Sequence, residues 1–175
     1  MYEAEINIKS QMLADFLRYI FPPAAGSELC RVSTTRPTGM LIVALAEPAA
    51  LPVNVSGDHV VKLDIPWSRN ATSALENHWI LLDKNATARI NTALEAEFDL
   101  EFAGYYRRGE QLGMKKMEII DAFILSRGLA ATTYDTLHKR TYRKELLTQE
   151  RTRQQLLRRA YYINESIDYE GLFEK

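Results

Sequence analysis

Three threonines and four cations lie close together near the middle of the C-terminal half: Thr132, Thr133, Thr136, Lys139, Arg140, Arg143 and Lys144. Lys and Arg neutralise phosphates, and threonine hydroxyls hydrogen-bond to phosphates and to base edges. At helical spacing Thr132, Thr133, Thr136, Lys139, Arg140 and Arg143 share one face, while Tyr134, Leu137 and Thr141 form the opposite one. The chemistry on offer is electrostatic recognition of a polyanion, with double-stranded DNA the expected partner. Charge distribution agrees. The chain of 175 residues has a formal net charge of −1, yet residues 127–159 hold nine Lys and Arg against three Asp and Glu, a local net of +6.

Such a face needs a support helix and a sharp turn. Met117, Ile120, Phe123 and Ile124 predict a helix from about Met114 that ends at Gly128. Gly128 supplies the positive φ of the turn, and Leu129 is placed to plug the angle between the helices. Thr132-x-x-Asp135 fits a capping box that would start the next helix, expected from about Thr133 to Ala160.

The run Gly128-Leu129-Ala130-Ala131-Thr132-Thr133-Tyr134, with Leu137 after it, resembles the helix-turn-helix of small bacterial and phage DNA-binding regulators. Those often carry Gly-Leu-Ser-x-x-Thr-Val-x-x-x-Leu across the turn and recognition helix. Two departures stand out: Ala130 replaces the usual capping serine, and Leu137 comes one residue early. The likeness covers residues 114–144 only. It implies a non-enzymatic DNA-binding protein, a regulator or an accessory factor of a mobile element, with Thr132, Thr133, Thr136, Lys139 and Arg140 facing DNA. The competing expectation is a plain helical bundle in an assembly protein, its basic helix and aromatic tail (161–175) binding a partner or a second copy. The polar stretch 148–155 suits a projecting arm or dimerisation helix.

No other constellation predicts chemistry. Glu95, Glu97, Asp99 and Glu101 include two i,i+4 carboxylate pairs but no histidine at helical spacing, so a solvated face is expected there. His59, His78 and His138 are scattered, and the single cysteine, Cys30, leaves no internal disulfide and no cysteine zinc site. No phosphate loop or nucleophile elbow occurs. The expectation is therefore no enzyme, no cofactor and no metal. The N-terminal residues show no basic region followed by an apolar one, and no apolar run approaches a membrane span, so the expected compartment is the cytoplasm, without membrane association.

The elements around the motif predict an α+β fold. Tyr2, Ala4, Ile6 and Ile8 alternate as a strand. Ser10 caps a helix carrying Met12, Leu13, Phe16, Leu17 and Ile20, which Pro22-Pro23 ends. Leu29–Thr35 reads as a strand, Arg36–Gly39 as a turn, and Gly39–Ala46 as a central strand buried on both faces. Glu47–Pro52 reads as a loop, and Val53–Val55 with His59–Ile65 as a hairpin. Residues 67–84 are ambiguous. Ile90, Leu94, Phe98 and Phe102 then mark a helix from Asn85, with Gly109 its expected terminator. The predicted division is a sheet domain at 1–84 and a helical region at 85–175, which can pack as one unit.

Overall fold

The computed structural model describes residues 2–66 and 79–141. Its strands are β1 (Glu3–Asn7), β2 (Cys30–Arg31), β3 (Glu47–Ala49), β4 (Val60–Asp64) and β5 (Trp79–Leu81). The helices are α1 (Gln11–Ile20), α2 (Pro37–Leu45), α3 (Lys84–Gln111) and α4 (Lys116–Arg127), followed by helical residues 134–141. The fold is α+β. The chain divides into two compact units, Met1–Thr133 and Tyr134–Lys175. α3 and α4 thus belong to the same unit as the sheet. The physical reason is that the apolar stripes of α3 and α4 are satisfied only by burial in the first unit.

β1 alternates as its sequence predicts, with Ala4 and Ile6 buried and Glu3 and Glu5 on the other face. It sits at the centre of a five-stranded sheet of order β2-β4-β1-β5-β3. β4 runs antiparallel to β1, with Glu5 opposite Lys62 and Ile6 opposite Val61. β5 is parallel to β1, and β3 pairs antiparallel with β5 at the far edge. β2 lies parallel to β4 at the other edge. The hairpin expected from 53–65 does not form: β4 pairs with β1, and Val53–Val55 is not a strand. Glu47–Ala49, expected as loop, is edge strand β3, where Pro48 is tolerated because an edge residue can lack an N–H.

The largest departure is α2. The apolar run Gly39–Ala46, expected as a central strand, is helical up to Leu45. Pro37 stands in its first turn, where a missing N–H costs nothing. Only Thr38, Gly39 and Ile42 are buried, a narrow helical stripe. A Cβ on Gly39 would run into the Ser33 carbonyl, so glycine permits that close seat. A short, wholly apolar run has no period to read, so its sequence alone does not distinguish strand from helix.

α1 forms as predicted, with the Ser10 hydroxyl accepting from the Leu13 N–H. α3 buries Ala86, Ile90, Leu94, Phe98, Phe102, Tyr106 and Gly109. Residues four apart on a helix advance about 40° around the axis, so this stripe winds along α3 and meets successive partners. Phe98 packs edge-on against Phe16 of α1 at 5.1 Å and against Phe123 of α4 at 5.8 Å. Phe102 meets Phe123 at 4.9 Å. These aromatics form the centre of the helical layer.

Gly109 does not terminate α3, which runs on to Gln111. A Cβ there would lie 2.6 Å from Ile119, so the glycine allows α3 and α4 to approach. The left-handed residue of this turn is Gly113 (φ +74°). On α4 the buried residues are Ile119, Ile120 and Phe123. Met117, expected inside, is exposed, and Ile124 is half-buried.

Candidate nucleic-acid interface

α4 ends as the sequence predicts. Gly128 is left-handed (φ 63°, ψ 32°), and the Leu129 N–H donates to the Ile124 carbonyl at 3.1 Å. That six-to-one bond satisfies a carbonyl the helix leaves open. Leu129 is buried. The chain then turns through Ala130 and Ala131, and the Thr132 N–H donates to the Leu129 carbonyl at 3.1 Å.

Thr132 departs from expectation. It is 8% exposed, and its hydroxyl has no hydrogen-bond partner among the described residues. It neither forms the capping box nor presents a hydroxyl to solvent. Helical residues begin at Tyr134, which puts Thr133 in the flanking position instead. The physical cause is the turn itself: its bond back to Leu129 draws Thr132 inward.

The helical residues 134–141 form the described part of the second unit. Thr136 and Lys139 are exposed, Arg140 is half-buried and Leu137 is fully buried. At about 100° per residue, Thr136, Lys139 and Arg140 fall within an arc of about 100°, with Leu137 and Thr141 on the other side. Tyr134 and His138 stack one turn apart, with ring centroids at 5.3 Å. The Thr141 hydroxyl donates to the His138 carbonyl at 2.7 Å, an internal bond that ties it to its own helix. Thr133, just before the helix, is exposed. Arg143 and Lys144, the polar stretch 148–155 and the tail 161–175 lie outside the described residues.

No protein-family model, curated protein or solved structure matches this chain.

One charged cluster escaped the sequence reading. Glu97 and Glu101, expected on a solvated face, retain only 12% and 18% side-chain exposure. The Arg36 guanidinium donates to Glu97 at 3.0 Å and to Glu101 at 3.2 Å. Glu97 also accepts from the Thr38 N–H at 3.2 Å and the Thr38 hydroxyl at 2.7 Å, capping the start of α2. Glu101 accepts from Arg127 Nε at 2.8 Å. Burial works against the charge on Arg36, but its bonds to the two carboxylates outweigh that cost and hold its pKa above the ordinary value. Glu95 pairs separately with Lys9 at 3.3 Å. The i,i+4 spacing of Glu97 and Glu101 was legible. Their partners were not, because Arg36 is about sixty residues away in sequence and meets them only through the packing of α2 on α3.

This cluster also removes one cation from the predicted basic surface. Arg127 counts toward the local excess, yet its guanidinium lies over the rings of Tyr19 (4.7 Å), Tyr105 (5.4 Å) and Phe123 (5.3 Å). Among the described residues no group of three or more His, Cys, Asp or Glu side chains could hold a metal ion. No described helix is long and apolar enough to cross a membrane.

Proposed function

We propose that this protein is a cytoplasmic, non-enzymatic DNA-binding protein that engages duplex DNA through the basic segment beginning at Thr133. The observation that carries the reading is the single arc formed by Thr136, Lys139 and Arg140 on residues 134–141, with Thr136 and Lys139 exposed. In the sequence two further cations follow, Arg143 and Lys144, outside the described residues. Lys139, Arg140, Arg143 and Lys144 neutralise phosphates, and Thr133 and Thr136 approach phosphates or base edges. The proposed contact leaves out Arg127, held by Glu101 and three rings, and Thr132, which is buried. The role is that of a regulator or of an accessory factor to a mobile element, in keeping with the helix-turn-helix likeness.

The test is a binding titration of the full chain on mixed-sequence duplex DNA at several salt concentrations. Four neutralised phosphates give a slope of log K against log salt of about −3.6. No binding at low salt, or a slope near zero, removes this reading. In that event, loss of self-association on deleting 161–175 would point to an assembly role for the same segment.

A further inference from the structure

The sheet face opposite the buried Ile6, Val61 and Leu63 carries a cavity of about 230 Å³. Its walls include Glu3, Glu5, Leu29, Val53, Lys62 and Trp79. The register dictates the layout. Glu3 stands beside Trp79 across the β1–β5 pairing, and Glu5 beside Lys62 across β1–β4, with neighbouring strands about 4.8 Å apart.

The charged groups are not equivalent. Glu5 is occupied, because its carboxylate accepts the Val55 N–H at 3.0 Å and pins the 52–55 loop over the cavity. The Lys62 ammonium is drawn toward Glu28 at 3.7 Å, and both of those side chains are exposed at the rim. The Glu3 carboxylate makes no side-chain hydrogen bond or ion pair among the described residues. The cavity therefore offers one uncommitted carboxylate next to an indole, flanked by the apolar Leu29 and Val53. An aromatic ring and a carboxylate together recognise organic cations: the ring's negative face and the anion both favour positive charge, and apolar walls favour alkyl groups. The volume is below the roughly 300–1,000 Å³ of sites for drug-sized ligands, which limits the occupant to a compact head group.

We propose that this cavity binds a small organic ammonium ion, with Glu3 as its counter-ion and Trp79 as its aromatic wall. The site lies in the first unit and is independent of DNA binding, so either can fail without the other.

The experiment titrates choline into the full-length chain and follows indole fluorescence. A Trp67→Phe background leaves Trp79 as the sole indole, since the sequence has two tryptophans. The neutral isostere 3,3-dimethylbutan-1-ol serves as comparison. Choline is expected to give a saturable change, and the alcohol to bind at least about tenfold more weakly, as a charge-dependent contact requires. Glu3→Gln, a substitution on a half-buried strand position, is expected to weaken choline about tenfold while leaving the thermal unfolding midpoint near that of the parent. No saturable change with choline, equal binding of the alcohol, or undiminished choline binding by a folded Glu3→Gln variant each overturns the proposal.

Discussion

Arg127 Nε donates to Glu101 Oε1 at 2.8 Å, and the same guanidinium lies 4.7 Å from the centre of the Tyr19 ring. One side chain at the end of α4 thereby fastens α4 to α3 and to α1. The arginine just before the Gly128 turn is thus a structural tie between helices.

Arg127→Ala is therefore expected to destabilise the first unit. Removing Arg127 costs Glu101 one of its two arginine partners, with Arg36 still in place, and strips three aromatic contacts, at a cost of about 1–3 kcal/mol. Urea denaturation measures it. Under conditions where the variant stays folded, its salt slope for DNA binding should match that of the parent. A reduced slope would return Arg127 to the binding surface.

Lys139→Ala combined with Arg140→Ala should do the reverse. Folding stability should change little, and the slope of log K against log salt should flatten by about 2, one phosphate per cation. Equal affinity and slope for parent and double variant would show that this arc does not meet the phosphates.

Thr132→Val separates burial from binding at the turn. The Thr132 hydroxyl is buried without a partner among the described residues, so an isosteric methyl should be neutral or stabilising by up to about 1 kcal/mol. DNA affinity should not move, whereas Thr136→Ala should lower it. A clear loss of affinity in Thr132→Val would restore Thr132 as a contact.

Gly109→Ala is expected to cost about 1–3 kcal/mol, because the new methyl meets Ile119 2.6 Å away in a packed interface. Adding Ile119→Val should recover part of the loss, and a double-mutant cycle measures the coupling. Additive effects would place the strain elsewhere.

Cys30 supplies a pH-dependent prediction. Burial raises its thiol pKa, with the attraction of Arg18 opposing but not overcoming it. As pH rises through the ordinary thiol range, the unfolded chain releases this proton before the folded one does. The unfolded state then binds fewer protons, so this thiol's contribution makes stability fall with rising pH. Disulfide-exchange reagents should label Cys30 slowly in the native protein and quickly in urea. Rapid native labelling would mean that β2 opens readily.

Much of this architecture was written locally. The alternation of β1, the Ser10 cap, the four-residue stripe of α3 and the left-handed Gly128 each depend on residues within one or two turns of one another. Local sterics and side-chain spacing decide such features, so they can be read without coordinates. The basic run after Gly128 is equally a property of composition. What the sequence withheld depends on distant partners. Gly39–Ala46 had no period until Ser33 and the rest of the core selected its buried stripe. β4 found β1 instead of a hairpin mate, because pairing is settled by which apolar faces can be buried together.

The same division runs through the sites. By itself the sequence determined where the cations lie and that Glu95, Glu97, Asp99 and Glu101 lie close together on one helix. Only tertiary packing decided that Glu97 and Glu101 are consumed by Arg36 and Arg127. It likewise set Glu3 beside Trp79. The physical reason is that a charge or hydroxyl acquires its role from what surrounds it, and those neighbours come from elements dozens of residues apart.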